Sequence, residues 1–211
     1  MIQIKALEFG NRSELQDFVN LPFRLYPDIA QWVPPIRMDV RTMLNPKKHP
    51  FYEHSQAQAF IARRDGQVTG RIVVMENRLF NQVQNKKVAA FSLLECEQNP
   101  DTLRALVEAA AEWARAQGLE SLVGPKPFGL GEGYGLLVQG FELRQMMTMM
   151  NYNQPYLPRM LEDLGFTKEV DFVSCQIETE KFTLPDKVRK VAERVLEKGT
   201  ISVRGFRKRS D

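Results

Sequence analysis

Gln58-Ala59-Phe60-Ile61-Ala62-Arg63-Arg64, then Asp65-Gly66, then Gln67-Val68-Thr69-Gly70-Arg71-Ile72-Val73-Val74-Met75 is the stretch from which the fold is read. Both arms are rich in apolar and β-branched residues, which suit a pleated, half-buried surface. Asp-Gly between them supplies the positive φ angles of a tight type I′ turn, so the arms are predicted to pair as an antiparallel hairpin. Working outward, Val88-Ala89-Ala90-Phe91-Ser92-Leu93-Leu94 is a further strand, and residues 2–8 alternate apolar and polar with strand period. Asn99 caps a helix with Pro100 at its first position. Its apolar face is Leu103, Leu106, Val107, Ala110, Trp113 and Ala114 at helical spacing, and Gly118 ends it. A short strand is expected at 119–123. Hairpin, strand, helix, strand predicts an α/β fold: a mixed, mostly antiparallel twisted sheet flanked by helices on both faces.

Toward the N-terminus, Ser13-Glu14-Leu15-Gln16 has the form of a capping box, with a helix running to about residue 25. The segment 26–35, with Pro27, Pro34 and Pro35, cannot be regular, because proline lacks an amide donor and restricts its predecessor. A short helix is expected over 36–44. Beyond the glycine-rich stretch 124–135, strands are expected near 146–150 and over 170–178, with a short helix at 156–164 closed by Gly165-Phe166. Residues 185–198 form an amphipathic helix, apolar at Val188, Val191, Ala192, Val195 and Leu196, and a new strand pattern begins at 200–206. Residues 1–180 are therefore expected to form one domain. Residues 181–211 are expected to form a basic linker helix and the start of a second unit that is missing or truncated.

The composition is that of an ordinary globular protein: 211 residues, 43% hydrophobic and 26% charged. Charge-free stretches are short or broken by Gly, Pro and Asn, so no membrane span is predicted. The N-terminus lacks the basic-then-apolar form of a signal peptide. Two cysteines, Cys96 and Cys175, make no disulfide framework, which points to a reducing cytoplasm. Net charge is +3 overall, but residues 181–211 hold ten Lys/Arg against four Asp/Glu. That basic segment is either a solvated face or a peripheral contact with an anionic surface such as the inner membrane. No basic run interleaved with aromatics occurs, which disfavours nucleic acid. No His/Cys/Asp spacing matches a metal site. Cys96 reads as a small buried thiol or, less simply, a nucleophile. The run Met146, Met147, Met149 and Met150 reads as core packing or as the lining of a lipid-accepting groove. Tyr26 and Trp32, in the proline-stiffened loop, either wall an acceptor cleft or anchor that loop to the core.

The element order resembles the GNAT acyltransferase superfamily, and the motifs resemble its bacterial ceramide synthase-like group, whose members are usually longer than this chain. The residues that carry the resemblance are Phe23-Arg24-Leu25-Tyr26, Trp32-Val33-Pro34-Pro35, Leu44-Asn45-Pro46-Lys47-Lys48-His49-Pro50-Phe51, Asp65-Gly66-Gln67-Val68-Thr69-Gly70-Arg71-Ile72, Phe91-Ser92-Leu93-Leu94-Glu95-Cys96, Gly124-Pro125, Gly135-Leu136-Leu137-Val138-Gln139-Gly140-Phe141 and Met150-Asn151-Tyr152-Asn153-Gln154-Pro155-Tyr156. The resemblance implies a GNAT-type sheet, an acyl-CoA or acetyl-CoA co-substrate, no metal, and a small-molecule or lipid (sphingoid-type) amine as acceptor.

It further implies that amides at a bulge in the fourth strand, at Leu93 and Leu94, polarise the thioester carbonyl. Glu95 falls where some members place the general base; otherwise it is a strand-end carboxylate. The usual thiolate-protonating Tyr is Leu161 here, leaving Tyr152 and Tyr156 as substitutes or as packed aromatics. Tyr26, Trp32, Met147, Met149, Asn151 and Asn153 are the expected acceptor-site residues. The family's glycine-rich diphosphate loop corresponds to Glu95-Cys96-Glu97-Gln98-Asn99-Pro100-Asp101, which is acidic and has no glycine. Lys126-Pro127-Phe128-Gly129-Leu130-Gly131 matches the loop pattern superficially, making Lys126, Gly129 and Gly131 candidates for phosphate contact. The alternative function is a catalytically silent module of the same fold that binds a ligand or scaffolds a second half.

Overall fold

A computed structural model describes residues 1–129, 133–145, 150–175 and 177–205. These divide into two compact units, Met1–Glu169 and Val170–Asp211. The first carries β1 (Ile2–Ala6), α1 (Arg12–Leu25), α2 (Arg37–Met43), a 3-10 turn at Pro50–Glu53, β2 (Gln56–Arg64), β3 (Gln67–Glu76), α3 (Arg78–Gln84), β4 (Val88–Cys96), α4 (Pro100–Ala116), β5 (Ser121–Val123) and α5 (Tyr156–Asp163). The second carries α6 (Asp186–Glu197).

The sheet grows from the hairpin. Phe60 lies opposite Ile72, and Asp65 and Gly66 turn the chain with φ of 52° and 82°. β1 pairs antiparallel with β2, β4 antiparallel with β3, and β5 parallel with β4, giving the order β1-β2-β3-β4-β5. The parallel step needs a crossover, and α4 is that crossover.

Alternation along the strands divides the core in two. Ile72, Val74, Ala89 and Phe91 face α4 and α5, packing on Leu103, Leu106 and Ala110 and on Leu157, Met160 and Leu161. Ala59, Ile61, Val73 and Met75 face the other way, onto Phe18 and Val19 of α1, Val40 of α2 and Phe51. Helices therefore cover both faces, as the sequence predicts. The second unit is mostly exposed, and on α6 Val188, Val191 and Leu196 are 51–53% accessible.

The structure departs from the sequence reading at several points. α1 is capped by Asn11, whose side chain accepts from the amides of Ser13 and Glu14, so Ser13 lies inside the first turn rather than capping it. Asn77 caps the unanticipated α3 by accepting from Phe80 N at 3.0 Å, and Asn85 ends it in the left-handed region at φ 49°. The described residues of 170–178 and 200–206 form no strand. Alternation alone does not make a strand, since its backbone groups need a partner edge. The expected strand at 146–150 lies outside the described residues except for Met150.

Gly70 lets β3 pass close under α4. A Cβ there would sit 2.7 Å from Leu106 Cδ1 and 3.1 Å from both Cys96 Cβ and Thr102 Cγ2. Gly70→Val is therefore expected to lower stability by about 1–3 kcal/mol in urea denaturation, as overpacking of a close-packed core does.

Candidate active site

The site begins with one extra residue. On β3 and β4, Val73 pairs with Ser92 but Arg71 pairs with Glu95, so Leu93 and Leu94 together face the single residue Ile72. This is a β-bulge, and Leu93 takes a left-handed φ of 47° within it. Holding a leucine there costs on the order of 1–3 kcal/mol. Because strand side chains alternate, the inserted residue exchanges the faces of everything after it. Ala89 and Phe91 face α4 before the bulge, and Leu94 and Cys96 do so after it. Glu95, which simple alternation would send toward α4, turns to the α1 face instead, where Tyr26 and Arg71 meet it.

Beside the bulge, two strands part. β5 pairs with β4 only from Val88 to Ala90. One further link follows, Lys126 N donating to Phe91 O at 2.8 Å. β4 then runs on to Cys96 beside β3 but without β5, while the neighbouring chain leaves through Pro125 and Pro127. A cavity of about 580 Å³ opens at this notch, with Ser92, Leu93, Leu94 and Glu95 on one wall and Pro125, Pro127 and Leu136 on the other. Pro22, Trp32, Val33, Pro34, Ile36, Met43 and Tyr152 add mostly apolar surface. The loops around it are tied together: Val33 N donates to Gln145 Oε1 at 2.9 Å and Gln145 N to Gln31 O at 3.1 Å.

The polar floor is small and buried. Tyr26 donates its hydroxyl to Glu95 Oε2, while Arg71 Nη2 stands 4.0 Å from Oε1. The Glu95 side chain is 13% exposed and that of Arg71 only 3%. Burial pushes the Glu95 carboxyl up to about 7, against the opposing pull of the Arg71 charge and the Tyr26 hydrogen bond. Burial, with the neighbouring Glu95 charge, raises the Tyr26 phenol too, so it remains a donor. Burial likewise drives the Cys96 thiol up to about 12, which removes it as a nucleophile at neutral pH.

Of the residues singled out by sequence, Tyr26 meets Glu95, while Trp32, Leu93, Leu94, Glu95, Asn151, Tyr152 and Asn153 line this same cavity. Tyr26 stacks at a tilt on Trp32 (5.1 Å between centroids) and meets Tyr152 edge-on (6.2 Å). Asn151 and Asn153 use their amides on the glycine-rich segment. Asn151 donates to Gly135 O at 2.8 Å, and Asn153 both accepts from Leu137 N at 2.7 Å and donates to Leu137 O at 3.2 Å. Tyr156, on α5, does not line the cavity and donates to the Cys96 carbonyl at 2.7 Å. Lys126 pairs with Glu169 at 3.4 Å and lies over the Phe80 ring, and neither it nor Gly129 lines the cavity. Gly131, Met147 and Met149 lie outside the described residues. Arg71 was not singled out by sequence. The available signal was its place in the alternating row Arg71, Val73, Met75, which puts a charge on a buried face.

The start of α4 is closed to a diphosphate. Asn99 accepts from Thr102 N at 2.9 Å, Pro100 offers no amide, and Glu97 is held there by Arg24 at 3.0 Å and Arg64 at 2.8 Å. A helix start that binds phosphate needs free amides and no competing carboxylate. Among the described residues no group of three His, Cys, Asp or Glu could hold a metal, and no helix is long and apolar enough to cross a membrane.

The bulged fourth strand, its parting from the fifth and the flanking helices define a GNAT-type acyltransferase fold. The chain superposes on a tandem GNAT protein from the clavulanic acid biosynthesis pathway with a TM-score of 0.54 at 16% identity, over 78% of this chain and 43% of that one. It superposes on an aminoglycoside acetyltransferase from an uncultured soil metagenomic sample, solved with sisomicin, with a TM-score of 0.50 at 13% identity, over 87% and 97% of the two chains. No family model matches the sequence. It is 30% identical over 190 residues to bacterial ceramide synthase of Caulobacter vibrioides (strain NA1000 / CB15N), covering 90% of this chain. It is 29% identical over 193 residues to protein YghO of Escherichia coli (strain K12), covering 92%. The chain spans about half the length of these curated relatives, 49% of each. It has the GNAT fold, and its sequence is similar to members of the bacterial ceramide synthase-like group.

One carboxyl should titrate near pH 7 in side-chain 13C NMR and be absent from Glu95→Gln. Because the folded state holds this proton more tightly than the unfolded chain, the stability it confers is full below the ordinary carboxyl range. That contribution, about 3 kcal/mol, is lost as pH rises from the ordinary carboxyl range through 7.

Proposed function

We propose that this chain is the acyl-transfer domain of an N-acyltransferase that moves an acyl group from an acyl-CoA thioester to an amine, with a long-chain, sphingoid-type amine as the acceptor class. The observation that carries the reading is Glu95, a buried carboxylate poised near neutrality at the bulge, opening on an apolar notch. The name of the Caulobacter relative and the apolar walls around Trp32, Val33, Ile36 and Met43 support a lipid-like acceptor.

In this mechanism the thioester lies in the notch with its carbonyl at the Leu93 and Leu94 amides, at the bulge opposite Ile72. These donors stabilise the oxyanion as the amine nitrogen bonds to the carbonyl carbon. Glu95 takes the proton that the attacking nitrogen sheds. Collapse of the tetrahedral intermediate breaks the carbon–sulfur bond, and the thiolate leaves as free CoA once protonated. Tyr152, at the cavity wall, is the donor for that proton. Tyr156 holds the end of β4 instead, through the Cys96 carbonyl. The acyl and pantetheine portions provide donor recognition, since α4 does not cradle the diphosphate. Peripheral contact of 181–211 with an anionic membrane belongs to the same proposal, because it would bring the site to lipid substrates; vesicle binding should fall when that segment is deleted.

One observation favours a second reading, a silent ligand-binding or scaffolding module: the self-capped start of α4 with Glu97 clamped across it. Turnover separates the two. Long-chain acyl-CoA with a sphingoid-type amine should release free thiol, and Glu95→Gln should lower kcat by about 10²–10⁴ while keeping the thermal shift given by acyl-CoA. No thiol release and no thermal shift with CoA or acyl-CoA would establish the silent module.

A further inference from the structure

Arg71 is one of the most buried charges in the protein, and no motif assigns it a task. Its position is fixed by α1. Pro22 lies inside that helix and has no amide to give the carbonyl four residues back, which is that of Phe18. Arg71 Nη1 donates to that same carbonyl at 2.9 Å, and the guanidinium lies 4.9 Å from the centroid of the Phe18 ring. Anchored on α1, it does not close onto Glu95 as a bidentate fork. Its Nη2 stops 4.0 Å from Oε1, beyond hydrogen-bond range, while Tyr26 occupies Oε2. Oε1 is thus steadied by a positive charge without being capped by it.

We propose that Arg71 is the positioning residue of this site: anchored on the carbonyl that Pro22 frees, it keeps the Glu95 carboxylate ionised while leaving Oε1 open to receive a proton. The proposal rests on Glu95 being the base and adds the group that makes a buried carboxylate usable as one. A bonded Arg–carboxylate pair would have tied up both oxygens. A carboxylate with no counter-charge at this depth would hold its proton instead. The other ionisable groups near Glu95 do not supply the charge. Tyr26 at the end of α1, Tyr156 on α5 and Cys96 on β4 are all raised toward their neutral forms, chiefly by burial. Asp39 and Glu97 are acidic, and the His49 Nδ1 accepts from Phe51 N.

The test uses Arg71→Gln, which keeps a donor for the Phe18 carbonyl without the charge, and Arg71→Lys, which keeps the charge. Side-chain 13C NMR reads the Glu95 midpoint, and kcat is followed against pH. In Arg71→Gln the midpoint should rise by about 1–3 units. kcat at pH 7 should then fall about tenfold per unit of that rise and recover above the new midpoint. Arg71→Lys should keep the midpoint close to that of the wild type. A folded Arg71→Gln with an unmoved midpoint, a pH-independent loss of kcat, or an Arg71→Lys midpoint displaced as far as that of Gln would overturn the proposal. The NMR midpoint needs no turnover. If the wild type transfers no acyl group while the midpoint still moves, the proposed function fails and the Arg71–Glu95 coupling stands.

Discussion

The whole site hangs on a single surplus residue in β4. Without the bulge at Leu93 and Leu94, Glu95 would follow the parity of Ala89 and Phe91 and be driven into the apolar layer under α4. A carboxylate there would be set among apolar side chains, and Cys96 would be turned out of that layer. The bulge exchanges the two, burying the thiol and bringing the carboxylate to Tyr26 and Arg71. The same insertion leaves two consecutive residues facing one on β3. A single local irregularity thus sets both the direction of the acid and the gap in the ladder. A leucine held in left-handed backbone is a cost the fold carries at this position and at no other leucine among the described residues.

The second dependence runs through α1. A proline inside a helix ordinarily weakens it, and Pro22 sits well past the first turn. Here the carbonyl it leaves without its helical partner is the one that anchors a buried guanidinium. Buried ion pairs are weak sources of stability, because desolvation offsets much of the attraction. A pair held at 4.0 Å and placed beside a cavity is better understood through the reactivity of its carboxylate than through the stability of the fold. α1 therefore contributes to the site twice, through the Phe18 carbonyl and through Tyr26 at its C-terminal end.

Much of this was legible in the sequence where local rules are strong. Asp65-Gly66 between alternating arms located the hairpin, and Asn99-Pro100 located the start of α4. Glu95, Tyr26, Trp32 and Tyr152 were marked and do converge. What was not legible depends on register. No local pattern distinguishes a strand that runs straight through Leu93-Leu94 from one that bulges there, and only the bulge makes Arg71 the partner of Glu95. The expected strands at 170–178 and 200–206 failed for a related reason, since alternation describes a surface and not the edge it must pair with. Asn151 and Asn153, named for the acceptor site, line the cavity, and their amides also bind the backbone of 135 and 137, a use of side chains on loop groups that spacing does not reveal.

Under the proposed function, the bulge and the start of α4 differ in what they offer a donor. At the bulge stand a parted strand pair and a buried carboxylate between Tyr26 and Arg71. The start of α4 offers no such opening. Asn99 satisfies the amide that a phosphate would otherwise take, proline removes another, and Glu97 places a carboxylate where the anion would sit, neutralised by arginines from α1 and β2. The Glu97 bridge also ties α1, β2 and the β4–α4 junction together, so it has a structural use. Under the proposed function, recognition of a donor would therefore fall to the apolar and amide-bearing part of the notch. There, discrimination would come from the shape of the acyl chain and the thioester rather than from charge on a distant nucleotide.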